Sequence, residues 1–192
     1  MALTVWESAE FWATGLPPKP MGSAHRLSAP YQALRSRDGY FTVGANNDKL
    51  FAQLCRVIGR PELSTDVRFA GRPQRLENRL ALIAALEEAT MAQPRDLWLE
   101  KLEQAGVPSG PINNYAEALA DPHTLARNMV VDLDHPGAGK IKALGIPVKL
   151  SDTPGAVDRA APLLGQHTSE ILASLCYSQI EQQLLLSMGV IQ

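Results

Sequence analysis

Four histidines, His25, His123, His135 and His167, are the first residues to weigh for chemistry, and none has a second ligand at metal spacing. A zinc site is therefore not expected. No G-x-S-x-G elbow occurs, so a nucleophilic serine of that kind is absent too. His25 stands apart from the other three because it lies in a polar, glycine-flanked stretch, Gly22 to Asp48, with Tyr31 and Gln32 close behind it. An imidazole there could serve as acid or base, and it could equally be a surface histidine. The same stretch closes on the polar cluster Asn46, Asn47 and Asp48, where a strand gives way to a helix. Backbone amides and short polar side chains converge at such junctions, so binding groups collect there.

The elements that must position these residues follow from periodicity. Gly39 to Ala45 alternates, with Phe41 and Val43 on one face and Tyr40 and Thr42 on the other, which predicts a strand with one buried face after a hairpin-type turn at Asp38 and Gly39. Asp48 is a candidate cap for a helix whose stripe is Leu50, Phe51, Leu54, Val57 and Ile58, ended by Gly59 and Pro61. From Pro73 a longer helix is expected, with Leu76, Leu80, Ile83 and Leu86 inward and Arg75, Glu77 and Glu87 in solvent. Pro94 to Ala105 predicts another, packed through Leu97, Trp98 and Leu102. Such stripes are ordinary helix packing.

At the ends, Ala2 to Thr14 has helical spacing and is followed by the proline-rich linker up to Pro20. Gly106 to Asn114 can continue neither a helix nor a central strand, because Pro108 and Pro111 lack backbone donors, and it reads as a buried connection or a binding loop. Met129 to Asp134 and Lys140 to Leu144 are expected to pair across His135 to Gly139, with Ile146 to Leu150 as a third strand. Gln166 to Leu175 and Gln179 to Gly189 predict two final helices. The pattern is α+β.

Composition excludes several classes. A net charge of −2 without a basic cluster argues against nucleic acid as a partner. Met1 to Gly15 carries Glu7 and Glu10 and no basic leader, so neither a signal peptide nor a membrane span fits, and a cytoplasmic chain is expected. Cys55 and Cys176 each sit in an apolar helical pattern and are expected to be buried, reduced thiols.

Several motifs carry a resemblance to a known family. Gly22-Ser-Ala-His25, Ala29-Pro-Tyr-Gln32, Asp38-Gly-Tyr-Phe41 and Val43-Gly-Ala-Asn-Asn47 occur in order, followed by Gly106-Val-Pro-Ser-Gly-Pro-Ile112, Asp121-Pro-His123 and Pro162-Leu-Leu-Gly-Gln-His-Thr168. Together they resemble the class III CoA-transferases, the CaiB/BaiF family, over nearly the whole chain. That resemblance implies a large Rossmann-like domain interrupted by a small α/β domain, in two interlocked chains. It also implies transfer of CoA between an acyl-CoA and a carboxylic acid, or racemisation of an acyl-CoA, with the CoA thioester as substrate and no separate cofactor.

On the same resemblance the nucleophilic aspartate lies upstream of the helix at Ala2 to Thr14, so this chain is expected to be a C-terminal part, inactive by itself, with no catalytic residue of its own. Its carboxylate would attack the thioester, forming a mixed anhydride and then an enzyme-bound thioester. The implied layout is residues 1–20 as helix and linker of the large domain, 21–128 as the small domain, and 129–192 as a hairpin and helices returning to the large domain. His25, Tyr31, Gln32, Asn46 and Asn47 are the candidate substrate-binding residues, walls of the acyl or acceptor side of the cleft. The competing expectation is a non-catalytic binding or dimerisation fragment, or a subunit of a split enzyme. Racemase members resemble this chain but carry a glutamate where Asn47 stands, and an amide cannot abstract an α-proton.

Overall fold

The computed structural model describes residues 4–192, which form two compact units, one ending at Ile112 and the other beginning at Asn113. In the first unit the elements are α1 (Val5–Thr14), β1 (Tyr31–Arg35), β2 (Tyr40–Gly44), α2 (Asp48–Val57), a 3-10 turn (Pro61–Ser64), α3 (Arg72–Glu77), α4 (Arg79–Thr90), α5 (Arg95–Gln104) and β3 (Ser109–Pro111). In the second they are α6 (Tyr115–Ala120), α7 (Pro122–Ala126), β4 (Val130–His135), β5 (Gly139–Leu144), α8 (Thr168–Ser174) and α9 (Gln179–Ser187). The architecture is α+β, with short antiparallel sheets.

The alternation along Tyr40–Gly44 has its expected outcome. Phe41 and Val43 are buried, Tyr40 and Thr42 exposed, and β2 is the central strand of the order β1-β2-β3. Leu34 of β1 lies opposite Phe41, both fully buried, and they pack with Phe51, Leu54 and Cys55 of α2, Leu82 and Leu86 of α4, and Trp98 and Leu102 of α5. Burying each such side chain contributes roughly 1.5–3 kcal/mol. Gly106 to Asn114 does contain strand: Ser109–Pro111 pairs with β2 as an edge, where a proline's missing N–H faces away from the ladder.

Several expectations are corrected. Asn47, not Asp48, caps α2, its side chain accepting from Leu50 N at 2.9 Å, because Asp48 already stands in the first turn. The helix from Pro73 is interrupted at Asn78, and Leu80 is 87% exposed while Leu82 and Leu86 form the buried line. Arg75 is fully buried instead of solvated, for reasons given below. Cys55 is buried but Cys176 is exposed, just past the end of α8 at a φ of +67°, where the backbone has left the helix that would have covered it.

α1 runs from Val5 to Thr14 and ends on Gly15 at φ +70°; Ala2 and Leu3 of the expected helix lie outside the described residues. No described residue of α1 is buried, and Trp6 and Trp12 are 73% and 80% exposed. In the second unit β4 and β5 pair as the expected hairpin, in a register that runs from Val130 opposite Leu144 to His135 opposite Gly139. Ile146 to Leu150 forms no third strand. A capping box closes the start of α9, where Ser178 and Glu181 exchange hydrogen bonds. Leu184, Leu186 and Met188 of this C-terminal helix and its cap remain exposed. No helix among the described residues is long and apolar enough to cross a membrane.

Candidate functional site

The turn after Met21 and the irregular backbone from His25 to Pro30 deliver His25 beside Tyr31, the first residue of β1. The two rings meet edge to face, with centroids 5.1 Å apart. The backbone supports this approach: His25 N donates to Tyr31 O at 2.9 Å, and Ala45 N donates to Pro30 O at 3.0 Å, tying the loop to the end of β2. His25 Nδ1 accepts from Leu27 N at 3.1 Å, so Nε2 is the nitrogen left to face outward.

Two clefts share Tyr31 in their lining. The larger, of about 700 Å³, is lined by residues of α1, of the segment Pro18 to Leu27, and by Tyr31; it includes Trp6, Glu10, Lys19, His25 and Arg26. Glu10 and Arg26 form an ion pair at 2.9 Å on its wall. The smaller, of about 370 Å³, shares Ser23 and Tyr31 with it and adds Gln32, Thr42, Val43, Gly44, Pro108 and Ser109. Gly44 lies opposite Tyr31 in the register, and a Cβ built there would stand 3.1 Å from Tyr31 Cε2. A glycine at position 44 therefore leaves room for the tyrosine ring.

The candidate residues separate into two groups. His25, Tyr31 and Gln32 come together on these clefts, whereas Asn46 and Asn47 are exposed at the start of α2 and line neither. Asn47 Oδ1 is engaged as the helix cap, and its Nδ2 lies 3.4 Å from Asn46 Oδ1. Ser23 escaped the sequence reading: its Oγ accepts from Ala33 N at 3.1 Å, fixing the approach to His25.

The aspartates of the first unit are held in structural pairs. Asp38 Oδ1 accepts from Arg95 N at 2.8 Å and from Ser36 Oγ at 3.1 Å, which keeps its carboxyl below the ordinary carboxylate range. Asp48 pairs with Arg75, Asp66 with Arg68 and Asp96 with Arg95. No aspartate is among the described residues lining either cleft. Among the described residues no group of three or more His, Cys, Asp or Glu is placed to hold a metal ion.

With this geometry in place, comparison with known proteins gives one consistent answer. Residues 1–168 match the family described as CoA-transferase family III, and the chain belongs to that family. It is 39% identical over 90% of its length to a succinyl-CoA:glutarate CoA-transferase of Homo sapiens, covering 40% of that protein. It is 42% identical over 78% of its length to an acetyl-CoA:oxalate CoA-transferase of Acetobacter aceti, covering 36% of it. A crystal structure of a CaiB/BaiF family protein from Brucella suis superimposes with a TM-score of 0.78 at 39% identity, over 91% of this chain and 45% of that one. The chain thus spans about two fifths of the length of the curated relatives it matches.

Proposed function

We propose that this chain is the C-terminal portion of a class III CoA-transferase, which moves CoA from an acyl-CoA to a carboxylic acid through an aspartyl nucleophile upstream of it in the family sequence. One observation carries the reading: a chain that matches this family over residues 1–168 brings His25 and Tyr31 onto one cleft and Tyr31 and Gln32 onto a second. These residues position the acyl or acceptor group and make no bonds to it. Asn46 and Asn47, which line neither cleft, are assigned to the acyl or acceptor side on the family resemblance alone.

In the assembled enzyme the upstream carboxylate attacks the thioester carbonyl; the C–S bond breaks and CoA leaves as thiolate, giving a mixed anhydride. The thiolate then attacks the aspartyl carbonyl, releasing the donor acid as carboxylate and leaving an aspartyl thioester. The acceptor carboxylate repeats the first step on that thioester, and the returning thiolate takes the new acyl group and restores the aspartate. Transfer is favoured over racemisation because Asn47 offers an amide, capped onto Leu50 N, where a proton carrier would be needed.

On this reading residues 1–20 and 129–192 belong with the Rossmann-like large domain and 21–128 form the small one. The full-length protein is a cytoplasmic, interlocked homodimer. The exposure of Trp6 and Trp12 supports a larger surface for α1 to cover, and it equally suits the second reading, a non-catalytic dimerisation fragment or a split-enzyme subunit.

The test is an assay of CoA transfer from succinyl-CoA to glutarate, with this chain alone and with the family's N-terminal portion co-expressed. Activity only in the second sample is expected, with hydroxylamine trapping an aspartyl hydroxamate on the added portion. Turnover by this chain alone would place the nucleophile here and refute the reading. Failure of both would favour the dimerisation fragment. Deuterium entering the α-carbon of a chiral acyl-CoA from solvent would identify a racemase instead.

A further inference from the structure

The loop from His25 to Pro30, ahead of β1, has no regular secondary structure, yet nearly all carbonyls from His25 to Tyr31 are taken, and most are taken by arginines of α3 and α4. Arg79 Nη2 donates to His25 O at 2.6 Å and to Arg26 O at 3.1 Å. Arg72 grips Leu27 O from both Nε, at 3.0 Å, and Nη2, at 2.7 Å. Arg75 Nε donates to Ala29 O at 3.0 Å, and the carbonyls of Pro30 and Tyr31 accept from Ala45 N and His25 N. Arg72 and Arg75 stand three residues apart on α3, and Arg79 opens α4 just past the interruption at Asn78.

The contacts continue along α4 beyond the arginines. Glu87 Oε1 accepts from Arg35 N at 3.0 Å, and Thr90 Oγ1 donates to Arg35 O at 2.6 Å, so the polar line of α3 and α4 follows the chain from the loop to the end of β1. β1 is an edge strand, and its outer backbone groups need such partners. A guanidinium suits the irregular loop because its planar fork reaches more than one carbonyl, or one carbonyl twice, without rotating.

We infer that Arg72 and Arg79, flanking the buried Arg75, are positioning residues that set the conformation of the His25 loop by holding its carbonyls, and so fix the His25–Tyr31 ring contact at the cleft. The functional meaning of that contact rests on the transferase reading, but the positioning itself is measured without turnover, so the two fail separately.

The experiment uses this chain with Arg79→Gln and Arg72→Gln, each followed by amide hydrogen exchange, thermal unfolding and NMR of the His25 imidazole. Amides of the loop and the start of β1 are expected to exchange about tenfold faster, while those of Leu82, Leu86 and Leu102 keep their protection. The His25 ring protons, displaced by the Tyr31 ring current, are expected to move toward their free-peptide positions, and Arg79→Lys to restore only part of the displacement. Unchanged loop exchange and unchanged His25 resonances in both variants would overturn the inference. Loss of the fold in both would overturn it as well, since positioning residues leave the core intact.

Discussion

Arg75, with no exposed surface, donates from Nη2 to Oδ1 of Asp48 at 2.7 Å, while Asp48 itself is 73% exposed. A buried cation is thus neutralised by a carboxylate that keeps most of its hydration. The remaining donors reach Ala29 O and Phe69 O at 3.0 and 3.1 Å, and the guanidinium carbon lies 4.7 Å from the centroid of Phe51. One side chain therefore satisfies two loop carbonyls and packs on the core.

The two partners are accordingly unequal. Arg75→Ala is expected to lower stability by about 3–5 kcal/mol, because it orphans both carbonyls and leaves a void against Phe51. Asp48→Asn keeps an oxygen for Nη2 but removes the counter-charge of a buried cation, and is expected to cost less, about 1.5–3 kcal/mol. Urea denaturation of the two variants measures the difference; equal losses would contradict the asymmetry.

Asn47 is a cap before it is anything else. Asn47→Ala is expected to cost about 1 kcal/mol through the lost bond to Leu50 N, and Asn47→Asp to preserve stability, since a carboxylate also accepts that N–H and suits a helix N-terminus. Chemical denaturation decides this, with the wild-type midpoint expected for the aspartate variant.

The two thiols should differ sharply. Burial pushes the Cys55 thiol up to about 12, whereas Cys176 is exposed beyond α8. At pH 8 a chromogenic disulfide reagent is expected to modify Cys176 promptly and Cys55 only on unfolding. Mass spectrometry of tryptic peptides taken during the reaction assigns each site.

Acid should weaken the fold through Asp38. Its carboxyl is held below 3.8 chiefly by the Arg95 backbone N–H and then by Ser36. A depressed folded-state value means the unfolded chain takes up the proton first, so this contribution is complete above the ordinary value. It is lost as pH falls through the lower, folded one. Stability measured from pH 6 down to pH 2 is expected to drop below about pH 4, with a shallower acid limb in Asp38→Asn.

How much of this was legible in the chain depends on how local each feature is. The alternation of Tyr40 to Ala45, the stripe of Leu50 to Ile58 and the hairpin across His135 to Gly139 are written in neighbouring residues, because strand and helix periods are short-range properties. His25, Tyr31 and Gln32 are close in sequence, and the bond from His25 N to Tyr31 O closes the loop between them. The cap of α2 falls on Asn47, one residue before the expected Asp48, as is usual at helix ends.

What tertiary structure alone decided is where long-range partners are needed. Arg75 lies among polar positions in sequence, and its burial follows from acceptors at Ala29 and Asp48, 46 and 27 residues away. Ser109–Pro111 becomes a strand only because β2 offers it an edge. The exposure of Cys176 likewise depends on where α8 stops, which its apolar pattern does not encode. Periodicity records which face a residue prefers, but the cost of burying a charge or an unpaired carbonyl is settled by what the fold brings to it.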